Sequence, residues 1–288
     1  MTTPDISFEF FPPRNLEASF RLWETVQVLA PLAPRFVSVT YGAGGTTRDL
    51  TREAVETIHK NSGLTVAAHL TCVDATRAET LEIAQGFAKA GVSDIVALRG
   101  DPPKGSTGFT AHPDGFANSV ELIGALADTG DFNIRVGAYP EVHPEAADQQ
   151  ANIDWLKAKL DAGASEALTQ FFFEPETFLR FRDASAKAGI NAPITPGILP
   201  IEHWKGVRNF AARCGTSIPA WIDEAFDKAA RDERETLLAT AICTEMCSTL
   251  IEEGVEQLHF YTLNTPELTR DICHALGVTP EVKLQNVA

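Results

Sequence analysis

Short runs rich in β-branched and aromatic residues alternate along this chain with longer stretches whose apolar residues recur every three or four positions. Eight such runs stand out: Ile6–Phe11, Phe36–Gly42, Thr65–Cys72, Asp94–Gly100, Ile134–Glu141, Glu166–Phe173, Pro193–Pro200 and Gln257–Asn264. Most of the stretches between them carry helix start and stop signals. Thr76 and Glu79 have capping-box spacing, Leu81, Ala84 and Ala88 share one helical face, and Gly91 is placed to end that helix. Pro175 opens a second such segment bearing Phe178 and Phe181, and Gly189 closes it. A strand about every 30 residues, each followed by a helix, is what right-handed βαβ crossovers produce, and eight such units close a barrel. The expected fold is therefore α/β, a TIM (β/α)8 barrel forming one domain over residues 1–288, with roughly the last ten residues as a tail. The interval from Pro200 to Gln257 is longer and carries helical patterns around Trp204–Arg213, Ala220–Ala230 and Arg234–Glu253, read as extra helices before the eighth strand. A doubly wound open sheet is the alternative, but no GxGxxG fingerprint follows the first strand.

Composition narrows the classes. With 24 basic against 39 acidic residues, the net charge of −15 repels nucleic acid and anionic lipid, so an anionic ligand needs local cations. The N-terminal MTTPDISFEFFPP lacks a basic region followed by an apolar stretch, and no run is long enough to span a bilayer, which points to a cytoplasmic protein. The five cysteines form no CxxC pair and read as small buried residues; Cys243 and Cys247 could share a helix face, but CTEMC adds no further ligand, and no metal is expected.

In such a barrel, polar residues at the C-terminal strand ends face the active site. Glu9 sits in the apolar SFEFFPP; Thr40 and Tyr41, His69 and Thr71, Arg99 and Asp101, Tyr139, Glu141 and His143, Gln170, and Tyr261 and Asn264 follow the same rule. Any one alone is more often a satisfied core group; their convergence favours a site. Burial of Glu9 is expected to raise its pKa, as suits a general acid, whereas an ion pair with Arg14 or another base would lower it. Arg99, Lys104, Lys157 and Lys159 are the cations placed for an anionic cofactor. Asn152, Leu156 and Lys159 form one helical stripe, which serves a ligand or merely a solvated face. The glycines of YGAGGTT, Tyr41–Thr47, could bring backbone N–H groups to a phosphate or simply turn the chain.

Eight motifs in order resemble one family, the bacterial methylenetetrahydrofolate reductases: SFEFFPPR (Ser7–Arg14), FVSVTYGA (Phe36–Ala43), AHLTCVDAT (Ala68–Thr76), IVALRGDPP (Ile95–Pro103), AYPEVHPEA (Ala138–Ala146), TQFFFEPETFLRFRD (Thr169–Asp183), PGILP (Pro196–Pro200) and HFYTLN (His259–Asn264). The resemblance implies a TIM barrel with noncovalent FAD at the C-terminal strand ends. It implies ping-pong chemistry in which NADH or NADPH gives hydride to flavin N5, leaves, and is replaced by 5,10-methylenetetrahydrofolate. By motif, Glu9 resembles the general acid that opens the folate five-membered ring, and Asp101 the acid beside flavin and pterin. Thr40, Tyr41, Ala43, His69, Arg99, Gly100, Asp101, Ala117, Tyr139, His143, Ala146, Asn152 and Lys159 match flavin-binding positions. Glu9, Thr40, Asp101, Gln170, Phe210 and Tyr261 match positions that meet the folate or nicotinamide, although helical Phe210 reads equally well as core. Two positions depart from the pattern: Asn152 stands where relatives often carry aspartate, and Thr265 where some carry arginine. The resemblance also implies a homo-oligomer, and a chain ending after the eighth unit implies no C-terminal regulatory domain and no control by S-adenosylmethionine.

Two other functional classes fit the same residues. A non-redox folate- or pterin-binding barrel enzyme would use Glu9 and Asp101 for proton transfer, and a flavin- or folate-binding subunit incompetent in electron transfer would lack turnover.

Overall fold

The computed structural model describes residues 3–41, 47–101 and 109–280. Eight parallel strands close a barrel in chain order: β1 (Asp5–Phe10), β2 (Phe36–Val39), β3 (Val66–Thr71), β4 (Asp94–Leu98), β5 (Asn133–Ala138), β6 (Glu166–Phe171), β7 (Ile194–Ile198) and β8 (Gln257–Tyr261). Closure is made where β8 pairs with β1, setting Glu9 opposite Tyr261 and Ser7 opposite His259. The expected (β/α)8 architecture is the one found.

Helices α1 (Leu16–Leu29), α2 (Arg48–Ser62), α3 (Arg77–Lys89), α4 (Ser119–Ala127), α5 (Gln149–Asp161) and α6 (Pro175–Lys187) follow strands one to six. The long interval after β7 holds α7 (Trp204–Cys214), α8 (Ala220–Arg231) and α9 (Glu235–Glu252), as the periodicity indicates, and α10 (Pro266–Ala275) follows β8. Local chemistry sets these boundaries. Thr76 and Glu79 form the reciprocal capping box that starts α3, while Asn118 and Asp148 accept a backbone N–H at the starts of α4 and α5.

Several strands stop short of the hydrophobic runs: β2 at Val39, β5 at Ala138 and β8 at Tyr261. Side chains replace the ladder there. After β8 the chain turns, with Leu263 and Asn264 at positive φ, and the Asn264 amide accepts from Phe11 N and donates to Phe11 O, both at 2.9 Å, in place of a paired strand.

Strand alternation sorts side chains between two cores. Ile6, Phe8 and Phe10 join the large apolar layer under the helices, whereas Phe36, Ala67, Val96 and Leu168 form a separate cluster along the barrel axis. Below that cluster, the N-terminal end of the barrel is closed by ions. Arg135 Nε meets Glu166 Oε2 at 2.9 Å and its NH1 meets Asp94 Oδ1 at 2.5 Å, while Thr195 Oγ1 donates to Glu166 Oε1 at 2.7 Å. Arg35 adds contacts to Glu166 and Gln257. Burial opposes ionisation of Glu166, but the Thr195 hydroxyl and the two guanidinium groups outweigh it and hold the pKa below the usual range. With that end plugged, ligands enter from the C-terminal end.

Candidate active site

A cavity of about 580 Å³ opens at the C-terminal ends of β3, β4 and β5 and extends outward against α5. Tyr41, Arg99, Gly100, Asp101, Ala117, Tyr139, His143, Ala146, Asn152 and Lys159 line it, which is most of the set singled out from the sequence. Ala43, Lys104 and the glycines of YGAGGTT lie outside the described residues. Lys157 is not on the cavity wall; it pairs with Asp161 one helical turn on.

The stripe on α5 faces inward rather than to solvent, because Asn152, Leu156 and Lys159 are all buried. Lys159 donates from Nζ to the Gly137 carbonyl, and burial alone pushes its pKa down to about 8. Asn152 is a tie between elements: its amide donates to Tyr139 O at 2.8 Å, holding the chain after β5 onto α5. An aspartate could not make that donation. Gly100 permits close approach of β3 and β4, since a Cβ there would lie 2.9 Å from Thr71 Cβ. Arg99 forks onto both Glu145 oxygens and lies 5.0 Å from the Phe109 ring centre. Its pKa is raised, chiefly by that carboxylate. His143 meets Tyr139 edge-on at 4.4 Å, and burial lowers the pKa of the imidazole.

Glu9 occupies the axis end of the site. His69 Nε2 stands 3.3 Å and His259 Nε2 3.7 Å from Glu9 Oε2, and neither imidazole nitrogen completes a well-formed hydrogen bond. Beneath them, Ser7 Oγ lies 2.8 Å from His259 Nδ1 and Phe36 stacks on the His259 ring. The expectation that burial raises the Glu9 pKa is overturned. Burial does push upward, but the charge of His69 and the contacts with both imidazoles prevail and bring it to about 2. Arg14 is not the partner; it is exposed. His69 and Thr40 therefore sit beside the cavity rather than on its wall, with the Thr40 carbonyl accepting from Thr51 Oγ1.

Gln170 is half-buried and lines a small second cavity together with Tyr139, which borders the large one. Tyr261 donates to Thr169 O at 2.6 Å and packs where β7 has Gly197, whose missing side chain would fall 2.5 Å from the Tyr261 ring. The Tyr261 pKa is raised by burial and then by the charge of Glu9, and it also senses Tyr139; Tyr139 in turn senses Asp101. Glu9, Gln170 and Asp101 lie at or just beyond the C-terminal ends of β1, β6 and β4, on the same end of the barrel. Phe210 is half-buried and stacks on Phe171 at 5.4 Å, so it belongs to the wall behind Gln170. Trp155, Glu145 and Thr71 also line the large cavity. Trp155 was not picked from the sequence as a site residue, although its place between Asn152 and Lys159 on one helix was a usable signal.

A family model described as methylenetetrahydrofolate reductase matches residues 2–277. The chain belongs to the methylenetetrahydrofolate reductase family. It is 46% identical over 279 residues to the 5,10-methylenetetrahydrofolate reductase of Pectobacterium carotovorum subsp. carotovorum, covering 96% of this chain and 92% of the relative. The Escherichia coli (strain K12) protein of the same name is 47% identical over 277 residues at the same coverage. Methylenetetrahydrofolate reductase (NADH) 1 of Arabidopsis thaliana is 35% identical over 96% of this chain, which matches 49% of the plant protein. Among solved structures, an uncharacterized Clostridium thermocellum protein that binds two copies of 5-methyl-5,6,7,8-tetrahydrofolic acid shares the fold at a TM-score of 0.63 and 16% identity, covering 96% of this chain and 95% of that one. Membership supports folate reduction as the reaction class. Among the described residues no helix is long and apolar enough to cross a membrane.

Proposed function

We propose that this chain reduces 5,10-methylenetetrahydrofolate to 5-methyltetrahydrofolate in the cytoplasm, holding FAD noncovalently in the large cavity and drawing electrons from NADH or NADPH in a ping-pong cycle. The observation that carries the reading is a cavity with a buried lysine at the same end of the barrel as the Glu9 carboxylate, in a family member. The residues present suit a dinucleotide. Lys159 is a buried amine with one carbonyl acceptor, so a nearby phosphate would raise its pKa back toward the ordinary value. Thr71 lines the cavity, and its Oγ1 is buried without a hydrogen-bond partner among the described residues. Gly100 and Gly137 line the cavity without side chains.

When bound, FAD supplies the hydride acceptor and donor that connect the two substrates. The chain's own groups supply the proton and the alignment. Ser7 Oγ pairs with His259 Nδ1, and the Nε2 atoms of His259 and His69 both approach the same Glu9 carboxylate oxygen. Glu9 is thus a carboxylate at rest, and it acts as the acid after taking up a proton from solvent, which it passes to the folate amine as the five-membered ring opens. Asp101 at the rim favours the positive charge that opening creates, and the Gln170 amide offers one donor and one acceptor to orient the pterin.

The test is an absorption spectrum of purified protein. A flavin spectrum that NADH or NADPH bleaches anaerobically, and that methylenetetrahydrofolate restores, is the expected result. Folate binding without flavin absorbance would favour a non-redox barrel enzyme, and flavin binding with neither half-reaction a passive subunit.

A further inference from the structure

Barrel closure surrounds Glu9 with groups that favour its charged form, and one polar group stands apart from them. His69 on β3 and His259 on β8 approach the same Glu9 oxygen and outweigh burial, bringing its pKa to about 2. The Ser7 hydroxyl is engaged by His259 Nδ1, and the Tyr261 hydroxyl donates to Thr169 O. Ser38 on β2 is different. It is fully buried, and its Oγ has no hydrogen-bond partner among the described residues. Strand pairing sets Ser38 opposite Glu9 on one side and opposite Ala67, which has no polar side-chain atom, on the other. Phe36, two residues earlier on the same strand, stacks on the His259 ring inside the barrel, so alternation turns Ser38 toward that same interior. Neighbouring strands lie about 4.8 Å apart, a gap that a glutamate and a serine on one face can bridge.

We propose that Ser38 is a positioning residue for the acid step: its hydroxyl oxygen accepts the O–H of protonated Glu9 and keeps that proton at hand until the folate amine takes it. The inference rests on the reading of Glu9 as the acid. A buried hydroxyl without a partner is costly, and a neutral carboxyl is the donor that its neighbour on β1 can supply. Solvent gives the proton to a Glu9 carboxylate oxygen, and the new O–H points at Ser38 Oγ while the site awaits its substrate. As the C–N bond of the five-membered ring breaks, the amine nitrogen gains basicity. The O–H turns to it, the proton passes, and Glu9 returns to the carboxylate that the imidazoles favour. A hydrogen bond made by the neutral form offsets part of the pull of His69 and His259 toward the charged one.

The test is rapid anaerobic mixing of the reduced holoenzyme with methylenetetrahydrofolate across a range of pH, in wild type, Ser38→Ala and Ser38→Thr. Losing a partner of the neutral acid makes Glu9 harder to protonate. In Ser38→Ala the decline of reoxidation with rising pH is therefore expected to begin about one unit lower, which slows the step roughly tenfold at a pH above that decline. Reduction by the nicotinamide cofactor, which needs no proton from Glu9, is expected to keep its wild-type rate and so reports a folded, loaded site. Ser38→Thr restores the hydroxyl and is expected to restore the wild-type pH profile. A Ser38→Ala profile that overlays the wild type, one displaced to higher pH, or equal slowing of both half-reactions would overturn the role of Ser38. Those results together with an impaired Glu9→Gln leave the acid reading standing, whereas reoxidation at the wild-type rate in Glu9→Gln would overturn both.

Discussion

Raising the pH across the Lys159 titration tests whether the buried ammonium grips an anionic cofactor. The amine has its pKa pushed down to about 8 by burial alone, against an ordinary value of 10.5. If a phosphate binds the charged form, the bound state returns the pKa toward that ordinary value. Binding then takes up protons between the two, and affinity falls as pH rises above about 8. At about pH 7 roughly nine-tenths of the free protein carries the proton; at about pH 9 roughly one-tenth does. Linkage therefore weakens FAD binding about tenfold over that interval, close to 1.4 kcal/mol. The assay is a fluorescence titration of flavin-depleted protein at both pH values, repeated with Lys159→Met. The variant should bind weakly at both and lose the pH dependence. A wild-type dissociation constant that stays flat over this range, or the same slope in the methionine variant, would refute the assignment.

Two further outcomes follow from the geometry. Glu9→Gln removes the carboxylate that takes up and passes on the proton but leaves the cavity wall unchanged, so rapid mixing should show NADH-driven flavin reduction near the wild-type rate and folate-driven reoxidation slowed by about a hundredfold or more; equal reoxidation would remove Glu9 from the acid role. Arg135→Met leaves Asp94 and Glu166 without their shared guanidinium at the closed end of the barrel, and thermal or urea unfolding should register a loss of about 3–5 kcal/mol; an unchanged midpoint would show that Arg35 carries the network by itself.

The barrel was legible because its signals are local. Strand and helix periods, the Thr76–Glu79 cap and Pro175 each act within a few residues, and eight repeats of one unit admit few closed arrangements. The strand ends were less legible, because Asn264 mimics a ladder partner for Phe11 with its side chain. The site was legible as a list of positions, since residues at the C-terminal strand ends must share a rim.

The sequence by itself determined the fold, the rim on which polar side chains gather, and the motifs that mark the family. Tertiary structure alone decided the electrostatic state of those side chains. Glu9 is held as a carboxylate by His69 from β3 and His259 from β8, neighbours that only barrel closure brings to it. Lys159 has a depressed pKa because α5 turns that face onto the cavity, and Arg99 meets Glu145 because two separate loops converge. Propensity and hydrophobic period are properties of short segments, whereas a pKa is set by solvent exclusion and by charges that arrive from remote parts of the chain.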